Sequence, residues 1–237
     1  MSRKLAVALL AVAGLAAGSA RASEANIRKA FQARFPQASV ESVARTPFAG
    51  IYEVVFDGQI AYTDEKLSFV LFGNLYDVRG GAERNLTRER SGQLAVQAIR
   101  KSLDHAFKRV RGNGRRVLYT FEDPNCPYCK KLHAELAKVN DVTVYTFLIP
   151  ILGPESVEKA RAIWCAKDRA RAWNEAMEKG AVSEGSRNCE VPFEQTLQLS
   201  QRFGIRGTPT IYFADGSFVG GFIPADKIEE ALKAAAR

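Results

Sequence analysis

Cys126 and Cys129 stand three residues apart between two segments of different periodicity, and this placement constrains the fold more than any other feature of the chain. Upstream, residues 116–121 carry Val117, Leu118, Tyr119 and Phe121 and predict a buried strand. Downstream, residues 127–138 predict a helix and residues 142–148 a second strand. Strand, helix and strand in that order make a βαβ unit, with the cysteine pair at the start of its helix.

The rest of the chain fits around that unit. Residues 154 to about 180 read as helical, with Ala162, Ile163, Ala166 and Ala170 on one face, and residues 193–203 as another helix. A strand at 210–214, a turn at Asp215-Gly216, a strand at 217–222 and a helix at 225–236 behind Pro224 complete the C-terminal part. Apart from a helical insertion at about 152–200, the order βαβ…αββα is that of the thioredoxin fold.

Further upstream the pattern changes. Ile27, Ala30, Phe31, Arg34 and Phe35 have helical spacing and stop at Pro36. Short runs at 39–44, 51–56, 59–62 and 67–72 follow, punctuated by Asp57-Gly58 and Gly73-Asn74 as hairpins would be. From 87 to about 108, Leu94, Ala95, Ala98, Ile99, Leu103 and Phe107 recur at steps of three and four, predicting a helix that joins two domains as a strut. The reading is α+β: an N-terminal domain at 23–83, a linker helix at 84–112 and a catalytic domain at 113–237.

The first residues bear on the compartment. Arg3 and Lys4 precede an apolar run at 5–17, and Ala20-Arg21-Ala22 fits a cleavage site before Ser23. A membrane span needs about 20 apolar residues, more than this run offers. Residues 1–22 therefore read as a removed signal peptide, placing the protein in the periplasm with no stable membrane insertion. Loss of Arg3, Lys4 and Arg21 lowers the formal charge from +8 to +5. Basic clusters at 84–90 and 108–116 could contact nucleic acid, but export makes that partner improbable and a basic surface the preferred reading.

In an exported chain, four cysteines read first as disulfides. One tight pair and one wide pair, Cys165 and Cys189, point to a reactive bridge and a structural one. Cys126 would sit at a helix N-terminus, where unpaired N–H groups and the helix dipole favour an anion. Pro127 suits the first turn because its missing N–H is not needed there. The thiolate is the attacking species in thiol exchange, so Cys126 reads as nucleophile and the deeper Cys129 as resolver. Zinc would want about four ligands, and His133 is the only nearby third candidate, so no metal or cofactor is expected. A structural Cys126–Cys129 bridge would close too small a loop to stabilise much. Pro209, in Gly207-Thr208-Pro209-Thr210, directly precedes a predicted strand, where a cis Thr208–Pro209 bond would present a strand-like edge.

Residues 121–129 (Phe-Glu-Asp-Pro-Asn-Cys-Pro-Tyr-Cys), Lys131-Leu132-His133, residues 162–168 (Ala-Ile-Trp-Cys-Ala-Lys-Asp) and Gly207-Thr208-Pro209 together resemble the periplasmic disulfide isomerases of the DsbC/DsbG family. The resemblance implies V-shaped homodimers joined through the N-terminal domain, with two catalytic domains facing a cleft. It implies misfolded exported proteins with wrong disulfides as substrates, and a membrane thiol reductant (DsbD-like) as partner. By the same resemblance Cys126 is the nucleophile, Cys129 the resolver, and Pro127, Tyr128, Thr208 and Pro209 the substrate-contacting residues. The Pro127-Tyr128 dipeptide is similar to the DsbG type, whereas the wide cysteine pair is similar to the DsbC type. His133 reads as a packing or surface residue and His105 has no visible role. Thr120, six residues before Cys126, stands where thioredoxin-like chains often carry a buried acid.

Disulfide isomerisation or reduction is therefore the leading reading. Its rivals are a DsbG-like reductase of sulfenylated protein thiols with chaperone activity, a monomeric oxidase, and a holdase chaperone whose redox chemistry is secondary.

Overall fold

The computed structural model of the protein describes residues 23–182 and 187–236; the expected signal peptide at 1–22 lies outside the described residues. The chain divides between Thr87 and Arg88 into two compact units. Among the described residues no helix is long and apolar enough to cross a membrane.

In the N-terminal unit, helix α1 (residues 23–34) precedes four antiparallel strands: β1 (Val40–Arg45), β2 (Tyr52–Phe56), β3 (Gln59–Thr63) and β4 (Val70–Phe72), in the order β1-β2-β3-β4. Ile27 and Phe31, one turn apart, are fully buried against Tyr52, Val54 and Ala61. Asp57 and Gly58 join β2 to β3 with φ of 49° and 76°, as a two-residue hairpin turn of matching twist requires. The expected strand at 67–72 starts only at Val70. Leu67 takes a positive φ of 54° and turns back against the core, leaving Phe69, Leu71 and Phe72 exposed. A two-residue pairing, β5 (Tyr76–Asp77) with β6 (Arg84–Asn85), closes the unit.

Helix α2 (Leu86–Lys101) leads into the C-terminal unit, followed by a 3-10 turn (Leu103–His105) and β7 (Phe107–Arg111). Then come β8 (Arg116–Glu122), α3 (Pro127–Leu136), β9 (Val142–Leu148), α4 (Pro154–Cys165), α5 (Arg169–Lys179), α6 (Phe193–Arg202), β10 (Thr210–Phe213), β11 (Phe218–Gly220) and α7 (Ala225–Ala234). The sheet order is β11-β10-β8-β9-β7, with β8 and β9 parallel and the other pairs antiparallel.

Alternation along β8 sends its side chains to two cores. Tyr119 and Phe121 pack with Ala95, Val96 and Ile99 of α2 and with Phe147 and Tyr212. Leu118 packs on the other face with Leu132 and Leu136 of α3 and Ile228 and Leu232 of α7. Helices thus cover both faces, and the cysteine pair lies where β8 hands over to α3.

The linker helix expected at 84–112 is corrected in two ways. It ends at Lys101, and Phe107–Arg111 pairs along β9 instead, with Phe107 opposite Thr146 and Arg109 opposite Val144. The charges of Lys108, Arg109 and Arg111 hide a period of two. Nor is α2 a free strut: Gly92, Ala95, Val96 and Ile99 are buried, and a Cβ at Gly92 would come 1.9 Å from the Gly216 carbonyl oxygen. The helix packs on the β10–β11 turn and belongs to the C-terminal unit, which begins before residue 113. The helix expected at 154–180 is two helices, because Asp168 caps the second one by accepting from Arg171 N–H at 3.0 Å.

Candidate active site

The handover from β8 to α3 is organised by a carboxylate. Asp123 is fully buried, and its Oδ1 accepts from Asn125 N–H at 2.8 Å and from the Ser156 hydroxyl at 2.8 Å. Its Oδ2 accepts from the N–H groups of Ile151 and Leu152 at 2.8 and 3.0 Å, while its carbonyl accepts from Cys126 N–H at 3.1 Å. One side chain therefore ties the turn before Cys126 to the start of the helical insertion, and the segment it pins carries the exposed Ile151 and Leu152.

Cys126 occupies the N-cap of α3 in an extended conformation, followed by Pro127 at the first helical position. Its thiol donates to the Thr208 carbonyl at 3.2 Å, and the Thr208–Pro209 bond is cis. A groove of about 360 Å³ opens beside that carbonyl, with Phe203, Ile205, Thr208, Pro209, Tyr212 and Phe218 in its wall. Tyr128 is exposed on the first turn, with the Lys131 ammonium 5.1 Å from its ring centre.

Cys126 is itself only 4% exposed and Cys129 0%, so the two thiols differ less in exposure than in surroundings. Cys129 faces inward. Burial pushes its thiol far above the ordinary range, and the charge of Glu122 pushes it the same way. Both cysteines are free thiols, whereas Cys165, at the end of α4, is disulfide-bonded to Cys189 with a Cα separation of 5.7 Å.

Beside Cys129 lies a polar group that sequence reasoning missed. Glu122, at the end of β8, is fully buried; its Oε1 accepts from the Thr120 hydroxyl at 2.8 Å and pairs with Arg109 Nη2 at 3.5 Å. Arg109 Nη2 also donates to the Thr146 hydroxyl at 3.0 Å, and Nη1 lies 3.4 Å from His133 Nδ1. Burial raises the Glu122 carboxyl above the usual carboxylate range, and Arg109 opposes that rise. His133 is held below its ordinary value by burial and then by the Arg109 charge. Its Nε2 lies 3.4 Å from Glu178, which fits a neutral ring accepting from Arg109 and donating to Glu178.

The signal for Glu122 was its register. Thr120 and Glu122 share one face of β8, so the acid stands one pleat further along than Thr120, the position the sequence singled out. His105 pairs with Asp104 at 3.5 Å, within the 3-10 turn. Among the described residues no group of three or more His, Cys, Asp or Glu could hold a metal ion.

Comparison with known proteins places the chain. Residues 103–236 match the family described as thioredoxin-like domain, and residues 18–88 the family described as disulfide bond isomerase protein N-terminal domain. A probable thiol:disulfide interchange protein DsbC of Bordetella parapertussis is 43% identical over 87% of this chain and 73% of its own length. The DsbC of Haemophilus influenzae is 31% identical over 94% and 95% of the two chains. A crystal structure of a disulfide interchange protein from Neisseria gonorrhoeae superposes with a TM-score of 0.54 at 43% identity, covering 57% of this chain and 98% of that one. With an N-terminal isomerase-type unit followed by a thioredoxin-like unit, the chain belongs to the DsbC family of thiol:disulfide interchange proteins.

Proposed function

We propose that Cys126 and Cys129 form the redox centre with which this family member isomerises or reduces non-native disulfides in exported proteins, Cys126 attacking and Cys129 resolving. The Cys126 thiolate attacks one sulfur of a substrate disulfide, a mixed disulfide forms, and the other substrate sulfur leaves as a thiolate. Attack on that mixed disulfide by a different substrate thiol completes an isomerisation and returns Cys126 reduced. Attack by Cys129 instead releases a reduced substrate and leaves Cys126–Cys129 oxidised, with two electrons passed to the substrate.

The observation that carries this reading is the placement of the Cys126 sulfur at the start of α3, 3.2 Å from the Thr208 carbonyl, with Cys129 buried on the inner side. A helix start favours the thiolate. The groove beside Thr208 and Pro209 suits an extended substrate segment, and Tyr128 adds exposed apolar surface on the first turn of α3, where Pro127 stands beside it. Ile151 and Leu152 add exposed apolar surface on the segment that Asp123 pins.

Assembly and location follow the same reading. The N-terminal unit exposes Phe69, Leu71, Phe72, Tyr76 and Val78, and β4 is a short edge strand. Pairing of that edge with a second copy would cover it and give a homodimer with two Cys126 sites. The match to the isomerase N-terminal family supports this, and the cationic start, apolar run and Ala20-Arg21-Ala22 support a periplasmic protein exported by a cleaved leader at 1–22. Chaperone-like binding of misfolded chains and re-reduction by a DsbD-like membrane partner complete the proposal. Refolding of a scrambled disulfide protein tests it: the wild type should restore native pairing catalytically, and Cys126→Ser should not.

A further inference from the structure

A thiol exchanges with whatever disulfide reaches it, so selection among clients has to come from the surface around Cys126. Among the described residues of the C-terminal unit, the large apolar side chains left exposed are Val110, Tyr128, Ile151 and Leu152. Three of these four are fastened to the turn that carries Cys126: Tyr128 by the chain itself, and Ile151 and Leu152 by Asp123. We propose that Ile151 and Leu152 form a ledge that takes an apolar side chain of the client next to the cysteine under attack. They are then specificity-determining residues, and Asp123 is the residue that positions them. The proposal rests on the reading of Cys126 as the attacking thiol.

Asp123 holds both segments at once. Its Oδ1 accepts from the N–H of Asn125, the residue before Cys126, and its Oδ2 from the N–H groups of Ile151 and Leu152. Both segments therefore lie within hydrogen-bond reach of one fully buried carboxylate. The ends of the ledge are tied as well. Ile149 N–H donates to the Glu122 carbonyl at 3.0 Å. Ser156, whose hydroxyl donates to Asp123, also donates its N–H to the Gly153 carbonyl at 3.1 Å. Gly153 takes a φ of 105° at the start of α4, a conformation that a residue with a side chain rarely adopts.

A backbone fixed in this way displays its side chains: Ile151 is 43% exposed and Leu152 53%. The chain carries no charge from residue 142 to residue 154, so a partner for this surface is apolar. Covering apolar side chains on a backbone that is already ordered gains contact at little entropic cost. A native client keeps its apolar residues inside, whereas a misfolded one presents them beside its cysteines. The ledge thus favours the chains that need repair over those already folded.

The test follows release of thionitrobenzoate from peptides whose single cysteine is blocked as its mixed disulfide with that thiol. One peptide has leucines flanking the cysteine, a second serines and a third glutamates. The reagent 5,5′-dithiobis(2-nitrobenzoate) serves as a disulfide with no flanking chain. Reduced wild-type protein should take the leucine peptide about tenfold faster than the serine peptide at limiting concentration. The difference should lie in KM rather than in the limiting rate. I151S/L152S should bring the two peptides within about twofold, with rates on the serine peptide and the reagent unchanged. I151K/L152K should speed the glutamate peptide and slow the leucine peptide relative to the wild type, a change that loss of local structure does not produce. Asp123→Asn replaces one accepting oxygen by a donor, and should raise KM for the leucine peptide more than for the serine peptide. A wild type without preference, or an I151S/L152S protein that keeps it, overturns the ledge. An Asp123→Asn protein that slows on every disulfide alike overturns the positioning role of Asp123. Thionitrobenzoate release that survives Cys126→Ser overturns the underlying assignment instead.

Discussion

The two cysteine pairs of the C-terminal unit are made of the same atoms and held in opposite ways. Cys165 and Cys189 are joined, with Cys165 half-buried at the end of α4 and Cys189 exposed in the segment before α6. The Cys165 sulfur also lies 4.0 Å from the Cys189 carbonyl oxygen. Cys126 and Cys129 are unjoined, bracketed by a helix start, the Thr208 carbonyl and the buried Glu122–Arg109 pair. The sulfur is common to both; the helix start and the buried Glu122–Arg109 pair belong to the unjoined pair. The two pairs differ in what faces them, and the joined pair ties the end of α4 to the segment before α6.

That contrast is broken most severely at Cys126. Cys126→Ser should abolish exchange with any disulfide, read as loss of thionitrobenzoate release and of refolding activity. Cys129→Ser should leave the first attack intact but accumulate mixed disulfides with client proteins, visible on non-reducing gels. Removing the other pair should do the reverse. C165A/C189A should keep thiol exchange within about twofold, yet lose up to about 3.5 kcal/mol of unfolding free energy, the chain-entropy value for a loop closed over a separation of 24 residues. Denaturant unfolding measures that loss. A comparable cost of about 3 kcal/mol is expected for Gly92→Ala, because the added methyl would meet the Gly216 backbone rather than a yielding side chain. The N-terminal unit should affect assembly rather than the thiols themselves. Leu71→Arg, on the exposed edge strand, should convert a dimer to a monomer by light scattering, keep small-disulfide reduction and lower isomerisation of a scrambled protein severalfold.

The placement of Cys126 and Cys129 at the start of a helix was legible in the sequence because it is local. A strand, two cysteines, Pro127 and an amphipathic helix lie in about twenty consecutive residues, and helix-end physics acts on neighbours in the chain. Glu122 lies inside the motif at 121–129, but nothing next to it in the chain marks it as a buried acid. Its partner Arg109 comes from β7, a strand hidden by its charges and read as helix, and only the pairing of β7 with β9 brings the guanidinium to the carboxylate. A charged residue at a strand end looks solvated until the strand two places away in the sheet is known. Leu67 departs from the expected strand for a related reason: its apolar side chain fits a strand, but its positive φ turns it into the core, and β4 starts three residues later. The division of the insertion into α4 and α5 rests on the Asp168 cap, a signal present in the sequence and outweighed by the continuous apolar face.

The division of labour between the two pairs has one direct test. The wild-type protein is quenched with acid and alkylated during turnover of a scrambled substrate, and its intermolecular disulfides are mapped by peptide mass. The account predicts that substrate is linked to Cys126, while Cys165–Cys189 stays intact throughout. Substrate found on Cys165 or Cys189, or on Cys129 with Cys126 alkylated as a free thiol, would contradict it.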